Sequence, residues 1–273
     1  HQKKQIKYYL TLIQYILKIM DAKEQFNNQA KFYSSSKTFS AGESLNILSN
    51  LLKDRKFESG LDIGTGAGFA AFELSKSCQK VEATDISEGM IAEAKKIMKD
   101  RKINNLNFNI CNAEELKYSD KKFDIVTCRT AAHHFIDVEK FCCEVHRVLK
   151  DEGEFIIVDT ITSDQIKLNN WHQEVELIRD KSHIKNLSLI EWKNLLKKTN
   201  FYIKDIIQSR VTMNLNDWME RSGTSENDKK ILKNKFQNSD EKIKSFFGIK
   251  NLNNDISFYW PVGIFNLKKI KQD

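Results

Sequence analysis

Apolar residues fall along the chain in two alternating rhythms. Leu45 to Leu52 is periodic at helical spacing, and Leu61–Gly64 follows as a short strand. Phe69–Ser77 reads as a helix, and "KVEATDIS" (Lys80 to Ser87) alternates as a second strand. Met90, Ile91, Ala94, Ile97 and Met98 then mark one helix face. "NLNFNICNA", "FDIVTCR" and "EFIIVDT" supply strands three to five. Between the last two, Val138, Phe141, Val145, Val148 and Leu149 line one side of a helix. Strands alternating with helices predict βαβ units and a mostly parallel sheet. Past Thr160 the rhythm changes. Ser188 and Glu191 stand in capping-box spacing and start a helix. "FYIKDIIQSRVTM" reads as a strand, two or three polar helices fill roughly Asn216 to Gly248, and "ISFYWPVGIFNLKK" closes as a strand pair or one long strand.

Three of the chain's ten glycines, Gly64, Gly66 and Gly68, sit in "LDIGTGAGFAAFEL", where a strand gives way to a helix. Glycine permits positive φ and leaves no Cβ to hold a ligand off the backbone. A strand ending in such a turn suits a nucleotide-like cofactor. Asp85 ends the second strand, 21 residues beyond Gly64, where an acid can accept hydrogen bonds from ribose hydroxyls. A dinucleotide fingerprint would require glycine at position 69, which is Phe69.

The GxGxG turn resembles motif I of the class I S-adenosylmethionine-dependent methyltransferases. "ATDISEGMIAEA" resembles the family's second motif, and "CNAEEL" its GDAxxL segment, with Asn112 where Asp is usual. "FDIVTCRTAAHHFIDVEKF" and "EVHRVLKDEGEFIIVDT" match the fourth and fifth strands of the type-11 branch, with Asp151 in place of the usual proline. The chain is similar to ubiquinone/menaquinone C-methyltransferase-like enzymes over most of its length beyond Met20. The resemblance implies an α/β, Rossmann-like, seven-stranded, mostly parallel sheet flanked by helices, with its last strand reversed. It also implies an N-terminal helical lid and a helical insert near the C-terminus. It assigns cofactor binding to Asp62, Gly64, Thr65, Gly66, Gly68, Asp85, Ile86, Met90, Asn112, Ala113, Glu114, Arg129 and Tyr33. The cofactor is then S-adenosyl-L-methionine, released as S-adenosyl-L-homocysteine.

"AAHHF" follows the fourth strand, on the edge where open α/β sheets bind ligands. Histidine can act as a base near neutral pH, so His134 and His133 are the candidate catalytic pair. His134 is expected to face the methyl site, and His133 to pack inward. His183, Arg179 and Phe26 are the candidate substrate residues. Arg179 and Asp180 are expected to pair, as a clasp or as an anchor for an anionic substrate. Trp171 and Trp192 are expected in the core of the insert.

Composition narrows the function classes. With 273 residues, 40% hydrophobic and 30% charged, the chain suits a single domain. Residues 1–44 form the helical extension and lid, 45–160 the cofactor-binding core, and 161–273 the substrate-covering insert and last strands. The net charge of +7 comes from lysines scattered among acids, a solvated surface rather than a nucleic-acid face. Five cysteines form no CxxC pair, so no metal site is expected and free thiols fit a cytoplasmic placement. Ile6, Tyr9, Leu10, Ile13, Ile16, Leu17 and Met20 form one helix face, too short and interrupted for a stable membrane span. This stretch is expected to be an amphipathic extension upstream of a natural start at Met20, with an organelle presequence as the alternative. His1 points to a trimmed or tagged chain.

The expected activity is methyl transfer to a small-molecule acceptor, by a monomer or homodimer. The alternatives are an RNA or protein methyltransferase and a catalytically silent cofactor-binding subunit, with an NAD-dependent dehydrogenase last.

Overall fold

The computed structural model describes residues 22–34 and 40–271. The amphipathic face expected over residues 6–20 lies outside them. A helical segment, α1, covers 22–34. In chain order there follow α2 (Glu43–Leu52), β1 (Phe57–Ile63), α3 (Phe69–Ser75), β2 (Cys78–Asp85), α4 (Glu88–Asp100), β3 (Leu106–Ile110), β4 (Phe123–Arg129), a 3₁₀ turn at Ala132–His134, α5 (Val138–Val148) and β5 (Leu149–Thr160). The insert region then holds α6 (Ile166–Arg179), α7 (Leu189–Lys198), β6 (Phe201–Asn214), α8 (Leu215–Arg221), α9 (Glu226–Gln237), α10 (Glu241–Phe247), β7 (Lys250–Leu252) and β8 (Asp255–Lys269).

The sheet runs β3-β2-β1-β4-β5-β8-β6. β1 to β5 are mutually parallel, and β8 is antiparallel to both neighbours, so the reversed last strand is present. A three-residue β7 adds an eighth strand at the end of β8. Adjacent side chains on a strand point to opposite faces, and the sheet is filled accordingly. Val126, Ile157 and Phe265 enter the cluster beneath α5 and α7. Their neighbours Ile125, Ile156 and Ile264 enter the cluster beneath α2, α3 and α4. Both sets are fully buried, worth about 1.5–3 kcal/mol per side chain.

Helix starts follow the expected chemistry. Ser87 caps α4 by accepting from Met90 N, and Ser188 and Glu191 close the capping box on α7. α6 is the element periodicity did not reveal. Its apolar face is interrupted by the buried His172 and Glu176, so its stripe is weak.

β8 pairs with β5 from Val262 to Lys268, but with β6 from Ser257 to Lys269. The first half of β8 therefore projects with β6 past the carboxyl end of β5, over the ligand-binding edge of the sheet. A third core forms on this ribbon, from Trp171, Trp218, Phe236, Phe258 and Trp260 among others. Trp171 thus sits in the insert core as expected, whereas Trp192 packs under the sheet.

α1 bridges the two parts. Asn27 Oδ1 accepts from Ser87 Oγ and Gly89 N, both at 2.8 Å, while Gln25 Nε2 donates to the Ser222 carbonyl at 3.0 Å. A Cβ on Gly89 would stand 3.0 Å from the Asn27 carbonyl oxygen, so this glycine lets the helix seat closely. Among the described residues, no helix is long and apolar enough to cross a membrane, and no group of three His, Cys, Asp or Glu could hold a metal ion. All five cysteines are free, four buried and Cys143 exposed.

Candidate active site

Each of the three turn glycines has positive φ, at 63°, 52° and 90° for Gly64, Gly66 and Gly68. Their reasons differ. A Cβ on Gly64 would meet Ala131 Cβ at 2.5 Å, and one on Gly68 would meet the Phe72 ring at 2.7 Å. Gly66 has nothing within 4 Å of that position, so its bare backbone faces open space. Gly68 is the N-cap of α3 and shapes the turn without reaching the cavity wall.

Asp85 ties this turn to β2. Its Oδ2 accepts from Gly66 N at 2.8 Å and its Oδ1 from Ser87 N at 2.9 Å. Burial raises its pKa, opposed by those amide donors. A carboxylate offers roughly four lone-pair sites, so it retains capacity for ribose hydroxyls. Asp62 lies elsewhere than the resemblance implied. It is fully buried behind the turn and off the wall, accepting from Thr127 Oγ1 at 2.7 Å. Burial pushes it up to about 6, against the Thr65 and Thr127 hydroxyls and Arg129. Its Oδ2 has no well-formed hydrogen bond among the described residues. Asp62 therefore supports the turn from beneath.

The turn opens onto one cavity, lined at this end by Gly64, Thr65, Gly66, Asp85, Ile86, Met90 and the run Cys111 to Glu114. Asn112 Oδ1 accepts from Glu114 N at 3.0 Å. Glu114 has a second task, accepting from Ile136 N at 2.8 Å and Asp137 N at 3.2 Å, and so fixing the segment after the histidines. Arg129 lines the wall and donates to Ser44 Oγ at 3.3 Å; burial lowers its pKa to about 10. The open space over Gly66, an acid at the end of β2 and the apolar bed of Ile86, Met90 and Ala113 fit an adenosyl group.

Both histidines line the same cavity. His133 Nδ1 lies 2.6 Å from Asp159 Oδ1, and its backbone N donates to Asp159 Oδ2 at 2.9 Å. Asp159 is the penultimate residue of β5 and is only 1% exposed, and its Oδ1 also accepts from Thr160 N at 2.9 Å. Burial opposes protonation of His133, but Asp159 outweighs it and holds the imidazole above its ordinary pKa. His134 packs edge-on against Phe26, with ring centroids 4.9 Å apart, and its Nδ1 lies 3.1 Å from Ser182 Oγ. Burial, and then the neighbouring His133, push it down to about 4. His133, expected to pack inward, instead lines the cavity wall, with its Nδ1 held on the Asp159 carboxylate. Asp159 was missed because an aspartate at a strand end carries no motif of its own.

The insert end of the cavity is lined by Phe26, Tyr33, Glu176, Arg179, Met213, Trp218, Arg221 and Trp260. Tyr33 belongs here, beside Arg179 and Arg221, rather than with the glycine turn. The Arg179–Asp180 pair does not form. Arg179 Nε donates to the Trp218 carbonyl at 3.0 Å, its Nη1 lies 3.5 Å from Glu176 Oε2, and its guanidinium stacks 4.9 Å from the Trp218 ring. Asp180 instead accepts from Ser182 N and Oγ. His183 is off the wall, with Nε2 3.1 Å from Gln173 Oε1 and its ring behind the histidine pair.

A protein-family model described as a methyltransferase domain matches residues 61–157, from the end of β1 into β5. The uncharacterized methyltransferase YcgJ of Bacillus subtilis (strain 168) is 33% identical over 235 residues, covering 85% of this chain and 93% of its own. Its crystal structure matches with a TM-score of 0.79 at 30% identity, over 84% of this chain and 99% of that one. A putative methyltransferase from Bacillus halodurans C-125 matches with the same TM-score at 25% identity, over 83% and 99%. The ubiquinone/menaquinone biosynthesis C-methyltransferase UbiE of Rickettsia felis is 35% identical over 106 residues, 36% of this chain and 43% of its own. With the glycine turn, the acid closing β2 and the reversed last strand all in place, the chain belongs to the class I S-adenosylmethionine-dependent methyltransferases.

Proposed function

We propose that this protein methylates a small-molecule acceptor held between the histidine pair and the insert. The observation that carries this reading is the continuity of one cavity from Gly66 to Trp260, roofed by α1 and the insert helices. Such a cavity suits a compact molecule, and its acceptor end is lined from α1, α6, α8, β6 and β8.

When bound, S-adenosylmethionine supplies an electrophilic methyl group on a sulfonium. The residues of the chain do the rest. Asp85, Asn112 and the bare Gly66 backbone hold the adenosyl part, with Met90 and Ile86 against it. Phe26 of the lid closes on the ring of His134. The Asp159 pair sets the tautomer of His133 with the proton on Nδ1, leaving Nε2 to take a proton from an acceptor hydroxyl or activated carbon. His134, kept neutral by burial, orients the acceptor. This exchanges the roles expected for the two histidines.

Incubation with radiolabelled S-adenosylmethionine and separate metabolite, RNA and protein pools tests the reading. Label in the metabolite pool is expected. Label confined to RNA or protein would overturn it, and label nowhere would favour a silent cofactor-binding subunit.

A further inference from the structure

The insert end of the cavity carries two buried guanidinium groups on its wall. The side chains of Arg179 and Arg221 are 10% and 7% exposed. Each is braced from behind, Arg179 on the Trp218 carbonyl and ring, and Arg221 with Nε 3.0 Å from Asp217 Oδ2. Asp217 itself stands mostly in solvent and off the wall. Asp180 is turned to Ser182 and is also off the wall. The wall itself therefore holds two guanidinium groups and one carboxylate, Glu176 beside Arg179, while Asp217 pairs with Arg221 from the solvent side. Burial, and then the field of Arg179, lower the Arg221 pKa, whereas at Arg179 burial is outweighed by Tyr33, Glu176 and Asp180, which hold its pKa up, so the repulsion falls on Arg221. A ligand anion would relieve that repulsion. The planar fork of arginine matches carboxylate and phosphate oxygens two at a time. Around it, Met213, Trp218, Trp260 and Val262 offer mainly apolar and aromatic surface, with Tyr33 beside the guanidinium groups.

We infer that the insert end is an anion-recognition site, in which Arg179 and Arg221 hold a carboxylate or phosphate borne on a flat, apolar acceptor. The inference rests on the methyl-transfer reading and narrows its substrate class. The anionic group is held at the insert end, while the apolar body extends toward His133, where the methylated atom lies.

Calorimetry on the complex with S-adenosylhomocysteine tests this with three probes of one shape: 2-naphthoate, 2-naphthyl phosphate and neutral 2-naphthamide. At least one acid is expected to bind about tenfold or more tightly than the amide, the scale of a hydrogen-bonded charge pair. The tighter acid identifies the group recognised. Arg221→Gln should remove the preference while S-adenosylhomocysteine affinity and thermal midpoint hold, and Arg221→Lys should keep part of it. Equal binding of acid and amide, no acid binding at millimolar concentration, or an undiminished preference in Arg221→Gln would each overturn the anion site. Should Arg221→Gln fail to hold S-adenosylhomocysteine, the acid-to-amide ratio in the unaltered protein and in Arg221→Lys decides. The methyl-transfer reading fails separately, through the partition of label among the pools.

Discussion

The two ends of the cavity are assembled differently. At the cofactor end the wall comes from short contiguous runs around Gly64–Ala67, Asp85–Ile86 and Cys111–Glu114. At the insert end it is drawn from α1, α6, α8, β6 and β8, so that Gln25 and Ser222, 197 residues apart, are neighbours. The glycine turn constrains residue type locally, because all three of its glycines have positive φ. A wall drawn from distant elements can change one residue at a time without disturbing the sheet. Recognition of a constant cofactor suits the first, and choice of acceptor suits the second.

The largest expected effect tests the junction between the ends. Asp159→Asn and His133→Ala should each lower turnover about 100- to 10,000-fold, the usual worth of a positioned base, with S-adenosylhomocysteine affinity unchanged. Turnover that survives both would leave the chemistry to positioning alone. Next come the glycines, where the cofactor end should prove intolerant in two separable ways. Gly64→Ala meets Ala131 at 2.5 Å with φ at +63°, and should cost about 2–4 kcal/mol of stability from clash and strain together. Gly66→Ala meets nothing, and should cost only about 1–2 kcal/mol of strain yet weaken cofactor binding sharply, since its methyl stands in the cavity. Denaturant midpoints and calorimetry on both variants check this. If Gly66→Ala binds cofactor normally, the space over Gly66 does not hold the cofactor.

This division explains what was legible beforehand. The sheet through β5 and the glycine turn were readable because periodicity and local motifs report short-range constraints. Asp85 was readable for the same reason. Tyr33, His183 and the Arg179–Asp180 pair were misplaced because their neighbours come from distant elements, and helix spacing alone does not say which face of α6 meets which strand. Trp218, Arg221 and Trp260 had no signal beyond being large or charged. The projecting half of β8, which assembles them, depends on a pairing register invisible in one sequence.

Asp62 tests the cofactor end by pH. Its pKa is raised to about 6 in the fold, against about 3.9 unfolded. The native state therefore holds a proton that the unfolded chain releases between those values, and stability should fall as pH rises from about 4 to 6. Asp62→Asn should remove that slope and be the more stable protein at neutral pH. Urea titrations of both proteins across this range measure the difference. Parallel curves would show that Asp62 is ionised throughout, and that the Thr65 and Thr127 hydroxyls already compensate its burial.

The smallest effect is expected at Asn112, where the chain departs from the residue usual in its family. Its Oδ1 already accepts from Glu114 N, which shapes the bend after β3, and an aspartate oxygen can do the same. Asn112→Asp should therefore keep the fold and exchange the amide NH₂ for a second, charged acceptor. If the exocyclic amine of adenine is the partner, S-adenosylhomocysteine should bind more tightly by about 0.5–1.5 kcal/mol. The gain is limited because one hydrogen bond among several changes. A loss of similar size would mean that the Asn112 amide donates to a ring nitrogen instead, reversing the hydrogen-bond polarity at this position. Only a loss well beyond that range would remove adenine from this wall and with it the contrast between the two ends.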